Sequence, residues 1–129
     1  SVTEGVMMKT VYESTFIAVG DCAIEALEDH FLITFGEGAP SDVAEYCFIH
    51  RPEQRGDTPI VAGGVLSIGE QSWSVTAVGD VADINLRELG HITVKFDGAT
   101  TAEFPGTVHV AGQVPAGIKP GQKFRVLSH

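Results

Sequence analysis

Residues 66–75 read LSIGEQSWSV, and this stretch decides the fold. Glycine precedes Glu70 at its centre, and glycine at the first of two turn positions is what a type II′ hairpin requires. A turn at Gly69-Glu70 sets Leu66 opposite Trp73 and Ile68 opposite Gln71. Trp73, Val75 and Ala77 then share one face, and Ser72, Ser74 and Thr76 share the other. Such alternation belongs to an antiparallel sheet with one buried side.

Outward from this hairpin the chain repeats the pattern. Its 15 glycines and 6 prolines separate short runs rich in Val, Ile, Thr and Phe, at 9–19, 31–35, 46–50, 60–68, 71–78, 91–96, 106–111 and 123–127. Regular short strands between turn residues predict a mainly β domain, a barrel or sandwich of about eight strands. Two stretches read as short helices instead. GDCAIEALEDH offers Asp21 as a cap with Ala23, Ile24 and Leu27 at helical spacing. DINLRELG offers Asp83 as a cap, Leu86 and Leu89 on one face, and Gly90 as the stop. A second hairpin is expected from 91–96 to 106–111. A tight Asp97-Gly98 turn would pair Val94 with Thr101, whereas a longer loop centred on Thr100 pairs Phe96 with Phe104 and Ile92 with Val108. Register follows the buried pattern, which favours the longer loop and places His91 beside His109.

The 129 residues suit one domain, assigned here to 9–129 and preceded by a leader at 1–8. Seventeen acidic residues against eight basic give a net charge of −9, which disfavours nucleic acid and anionic membranes as partners. Cys22 and Cys47 form no CxxC or zinc-ribbon spacing and lie in apolar surroundings, so both are expected as reduced thiols. No apolar run approaches the roughly 18 residues of a membrane span, and no signal-peptide pattern opens the chain. The cytosol is the compartment these features suggest. Strand edges left unpaired would allow a homodimer.

Function rests on the histidines. Residues 45–52 read EYCFIHRP, in which an apolar run Tyr46–Ile49 ends on His50 and is followed by Arg51 and Pro52. The expected geometry is a strand anchored in the core with an imidazole at its exposed tip. His30 closes the first helix, and His129 is terminal. His50, His91 and His109 remain. Three chemistries suit them. Cys47, His50, His91 and His109 carry zinc-binding atoms, but residues three apart on a strand point to opposite faces. Nucleophilic hydrolysis lacks a G-x-S-x-G elbow and a Cys-His-Asn pattern. Phosphoryl transfer through an imidazole asks for one nitrogen free to attack, the other fixed by a hydrogen bond, and donors for the phosphoryl oxygens. No Walker loop or magnesium-binding carboxylate cluster accompanies them, so no nucleotide, metal or other cofactor is expected.

Three long phrases add a resemblance. LITFGEGAPSDVAEYCFIH, VTAVGDVADINLRELGHITVKFDG and AEFPGTVHVAG resemble the glucitol/sorbitol-specific enzyme IIA component of the bacterial sugar phosphotransferase system, over about residues 10–126. The resemblance implies a small β-barrel phosphocarrier. It would accept a phosphoryl group from the histidine-containing phosphocarrier protein and pass it to the IIB part of the sugar permease, working in the cytoplasm and meeting the permease at the inner membrane face. The sugar would be bound by the membrane component. The histidine closing CFIH, His50, matches the family's acceptor, and the register above makes His91 and His109 candidate donors to its phosphoryl oxygens. The residues alone leave two other readings open, a non-catalytic binding or regulatory barrel and a zinc-dependent enzyme.

Overall fold

The Gly69 hairpin forms with the register its sequence dictates. In the computed structural model, which describes residues 8–129, Leu66 faces Trp73 and Ile68 faces Gln71. Gly69 has φ +59°, and Glu70 is not left-handed, as a type II′ turn demands. Trp73, Val75 and Ala77 are buried. The expected leader falls almost wholly on residues 1–7, outside the described residues.

Eight strands close into one barrel. In chain order they are β1 (Lys9–Val19), β2 (Phe31–Gly36), β3 (Phe48–Arg55), β4 (Val65–Ile68), β5 (Gln71–Val78), β6 (Ile92–Lys95), β7 (Thr107–Ala111) and β8 (Lys123–Ser128). Around the wall they run β1-β3-β2-β6-β7-β5-β4-β8 and return to β1. Inward residues of every strand form one apolar core, in which Tyr12, Phe16, Phe48, Leu32, Leu66, Ile68, Ile92 and Phe124 have less than 2% of their surface exposed. Closure gives every strand a neighbour on both sides, so among the described residues the barrel has no open sheet edge of the kind invoked for a homodimer, apart from Arg51–Arg55 of β3, which pair with β1 alone.

Two readings are corrected. β6 and β7 are parallel, not a hairpin. Val94 stands beside Val108 and Lys95 beside His109, so His91 and His109 do not face each other. Period-two burial puts Ile92, Val94, Val108 and Val110 indoors whichever way the strands run, so apolar matching cannot fix their direction. The expected partner Phe104 is 59% exposed. Residues 96–106 instead carry the chain back along β7, from the Gly98 N–H on the Val110 carbonyl to the Glu103 N–H on His109 Nε2.

The second correction concerns β3. Tyr46 is 50% exposed and precedes the strand, which continues through Arg51 and Pro52 to Arg55. Pro52 is tolerated because it lies at a register shift opposite Ser14, where the ladder is already interrupted. His50 is therefore mid-strand and fully buried, not at an exposed tip.

Three helices decorate the barrel: α1 (Ala23–Glu28), α2 (Ser41–Ala44) and α3 (Ala82–Leu89). The single turn of α2 has no apolar stripe and was not foreseen. Neither expected cap holds, since Cys22 and Val81 occupy the capping positions. Asp83 sits inside α3, where its carboxylate takes the Ile60 N–H and the Arg87 guanidinium, both at 2.9 Å. Leu89 is half exposed, so only Ala82 and Leu86 of α3 are buried. Gly90 does stop α3, in the left-handed conformation at φ +68°. His30, also left-handed at φ +67°, turns the chain from α1 into β2. Cys22 and Cys47 are both free thiols, and burial pushes Cys47 up to about 11.

Candidate active site at His50

Strand alternation puts Tyr12, Ser14 and Phe16 of β1, Leu32 and Thr34 of β2, and Phe48 and His50 of β3 on the inner face of adjacent strands. Most of this face is apolar. Its polar members meet at one place. Ser14 Oγ lies 2.5 Å from His50 Nδ1, and the Gly90 carbonyl lies 2.7 Å from His50 Nε2. Thr34 Oγ1 donates to the same carbonyl at 2.9 Å and accepts the Ile92 N–H at 3.2 Å.

These contacts fix the tautomer. A carbonyl only accepts, so Nε2 carries the proton and donates it to Gly90. Nδ1 is then the lone-pair nitrogen, and the Ser14 hydroxyl donates to it. The rings of Tyr12, Phe16 and Phe124 stand edge-on around the imidazole at centroid distances of 5.8, 6.1 and 5.2 Å. Burial in this apolar surround lowers the imidazole to about 4, against a smaller opposing effect of the Gly90 hydrogen bond. The ring is neutral at physiological pH, as a nitrogen nucleophile must be.

The wall beside Nε2 is unlike the rest of the barrel. β2 ends at Gly36, directly opposite His50, so Arg51–Arg55 have a strand neighbour only in β1. The C-terminal end of α3 fills the place: Arg55 Nε donates to the Arg87 carbonyl at 3.0 Å, and Gly90 presses on Gly36. A Cβ on Gly90 would stand 2.6 Å from Gly36 N and 2.9 Å from His50 Cε1. Outside this turn, Arg51 holds Glu37 through two hydrogen bonds of 3.0 and 2.9 Å. Both side chains are more than half exposed.

His91 follows Gly90 in the same turn. Its Nδ1–H donates to the Thr34 carbonyl at 3.0 Å, and its ring packs 4.8 Å from Phe35. His109 is elsewhere. It is buried, its Nδ1 bonds Asp97 at 2.8 Å, and its Nε2 accepts the Glu103 N–H at 3.3 Å. The structure thus places His91 next to Gly90 with its ring against Phe35, leaves His109 apart from His50, and adds Ser14, Thr34 and Gly90. The signal for the two hydroxyls was present in the sequence: each is a polar residue on an otherwise apolar alternating face.

The depressed imidazole gives a pH-dependent stability. Unfolded, His50 takes up a proton near pH 6.5; folded, it does so only near pH 4. Between these values the unfolded chain binds more protons, so stability is full above the upper value and falls on acidification through the window. The loss attributable to His50 is about 3 kcal/mol by pH 4. Denaturant titrations at pH 7.5 and 4.5 should show this loss in the parent protein and its absence from His50→Gln, with the paired carboxylates contributing equally to both.

Comparison with known proteins shows the family. The family model described as the PTS system glucitol/sorbitol-specific IIA component matches residues 11–125. A glucitol/sorbitol-specific EIIA component of Escherichia coli K12 is 55% identical over 122 residues, covering 94% of this chain and 98% of that protein. Its Shigella flexneri counterpart is 54% identical over the same coverage. The crystal structure of a PTS system IIA component from Enterococcus faecalis V583 superposes with a TM-score of 0.79 at 25% identity, covering 87% of this chain and 96% of that one.

Proposed function

The chain belongs to the glucitol/sorbitol-specific IIA family of the sugar phosphotransferase system, a phosphocarrier family, and we propose that it carries the phosphoryl group on His50. The observation that carries this assignment is a neutral imidazole whose two nitrogens are each fixed by one hydrogen bond, beside a stretch of wall made of a turn. A phosphoryl group brings a charge of about −1.5 to −2, which an apolar interior does not accommodate. Transfer therefore requires the Gly90 turn to lift, admitting the donor and leaving the phosphorylated ring in contact with water. Arg55, whose positive charge reaches the His50 ring, is an exposed cation beside this turn, where its Nε donates to the Arg87 carbonyl.

The donor is the histidine-containing phosphocarrier protein and the acceptor the IIB part of the permease. Among the described residues no helix is long and apolar enough to cross a membrane, which suits a protein that works in the cytoplasm and meets the permease at the inner membrane face. Incubation with phosphoenolpyruvate, enzyme I and the phosphocarrier protein should raise the intact mass by one acid-labile phosphoryl group. Adding the IIB component should remove it. A protein that gains no mass under these conditions would be the non-catalytic barrel.

His91 is the histidine that assists. It follows Gly90 in the turn covering His50, and when that turn lifts, its Nδ1–H, released from the Thr34 carbonyl, is a donor for a phosphoryl oxygen. One charge-assisted hydrogen bond is worth about 1.5–3 kcal/mol, so His91→Ala should slow single-turnover phosphorylation by one to two orders of magnitude. His109→Ala breaks the Asp97 and Glu103 contacts instead. It should lower the melting temperature and leave the transfer rate of the folded fraction unchanged. Equal rates in both variants would discard the role of His91.

A further inference from the structure

Tyr12 carries a polar atom that the resting fold does not use. Its side chain is fully buried, yet its hydroxyl has no hydrogen-bond partner among the described residues. A buried hydroxyl left unpaired is destabilising, and folded proteins keep few of them. Arg125 Nε and Ser128 Oγ, both on β8, share this condition. Tyr12 is the one whose ring stands against His50, at a centroid distance of 5.8 Å and an interplanar angle of 79°. We propose that Tyr12 is a catalytic residue of phosphoryl transfer, whose hydroxyl donates a hydrogen bond to an oxygen of the phosphoryl group carried by His50. The proposal rests on His50 being the acceptor.

Packing alone does not ask for a tyrosine here. Phe16 and Phe124 complete the aromatic surround of the imidazole without any polar atom, and a phenylalanine at position 12 would fill the same place. Position also favours a role in transfer. Tyr12 pairs with Arg55, in the part of β3 that runs past the end of β2. The C-terminal end of α3 closes the wall there, where Arg55 holds the Arg87 carbonyl. Tyr12 and His50 therefore lie behind the same cover. Burial pushes the phenol up to about 12, against a smaller opposing effect of the Arg55 charge. The group stays protonated beside a phosphoryl anion, so it donates and does not ionise.

In the transfer step a ring nitrogen of His50 gives its lone pair to the phosphorus of the donor's phosphohistidine. A new N–P bond forms, the donor's N–P bond breaks, and its electron pair stays on the donor nitrogen. The Tyr12 O–H rotates toward a non-bridging phosphoryl oxygen and keeps its proton. A donor already fixed in an apolar surround needs no reorganisation as that charge arrives. The hydroxyl is thus unpaired before transfer and paired during it, and an interaction made in that order accelerates the step.

Tyr12→Phe removes the hydroxyl and keeps the ring. The variant should melt higher than the parent, because an unpaired buried hydroxyl is gone. It should accept phosphate one to two orders of magnitude more slowly, the worth of one hydrogen bond to a charged group. The loss should fall on the maximal single-turnover rate, with the half-saturating concentration of the phosphocarrier protein unchanged. A structural hydroxyl predicts the opposite pair, a lower melting temperature and the parent rate. A second measurement needs no substitution. The chain has two tyrosines, Tyr12 and the half-exposed Tyr46, so protein labelled with 13C at tyrosine Cζ gives two signals. Phosphorylation by the phosphocarrier protein should move the Tyr12 signal and leave that of Tyr46 in place. An unmoved Tyr12 signal in protein phosphorylated on His50, or a Tyr12→Phe protein that reacts at the parent rate, would overturn the proposal alone. Phosphate on a residue other than His50 would overturn both the proposal and the assignment beneath it.

Discussion

Replacing His50 with glutamine is expected to abolish phosphoryl uptake while leaving the barrel folded. Glutamine is close in volume, its amide N–H can donate to the Gly90 carbonyl, and its amide oxygen can accept from Ser14, so both buried partners stay satisfied. What it lacks is a nitrogen lone pair that can attack phosphorus. Uptake from the phosphocarrier protein should fall by more than about three orders of magnitude, the scale seen when a nucleophile is removed. Circular dichroism and a thermal melt provide the control for folding. A folded His50→Gln protein that still gains a stable phosphoryl group would place the acceptor elsewhere.

A large loss of stability should come from Gly90→Ala. At φ +68° an alanine pays for the left-handed conformation, and its Cβ would stand 2.6 Å from Gly36 N and 2.8 Å from Gly36 Cα. Both atoms are backbone in β2 and cannot swing aside, so the turn itself must shift. The cost should be about 3–5 kcal/mol, combining the conformational term with overpacking. For a domain of this size that is a fall in melting temperature of roughly 10–20 °C. The displaced turn would no longer seal Nε2. The folded fraction should therefore accept phosphate at least as fast as the parent. An unchanged melting temperature would show that the Gly90–Gly36 contact is not the tight seal described above.

The fold was legible where local chemistry is decisive. The glycine-first turn and the alternation after it specify the β4–β5 hairpin to the residue, and Gly90 marks the end of α3. What alternation cannot convey is strand direction. The inward set Ile92, Val94, Val108 and Val110 is satisfied equally by a hairpin and by the parallel pair that forms, and choosing the hairpin misplaced His109. The candidate site was legible in its histidine and illegible in its surroundings. EYCFIHRP suggests a strand that ends, because Pro52 usually ends one. Yet the ladder is already interrupted opposite Pro52 by the register shift at Ser14, so β3 continues and His50 is carried indoors. Burial by a turn 40 residues downstream is a tertiary fact with no local signature. Ser14 and Thr34 did have one, as hydroxyls on apolar faces.

The central claim is that His50 carries the phosphoryl group although the resting protein buries it completely. The most direct test is to phosphorylate the unsubstituted protein through the phosphocarrier protein, digest it at alkaline pH where phosphohistidine survives, and locate the added mass by fragmentation. The account predicts the phosphoryl group on His50, in the peptide containing CFIH, and on no other residue. Phosphate on His91, His109 or any other side chain, with His50 unmodified, would contradict it.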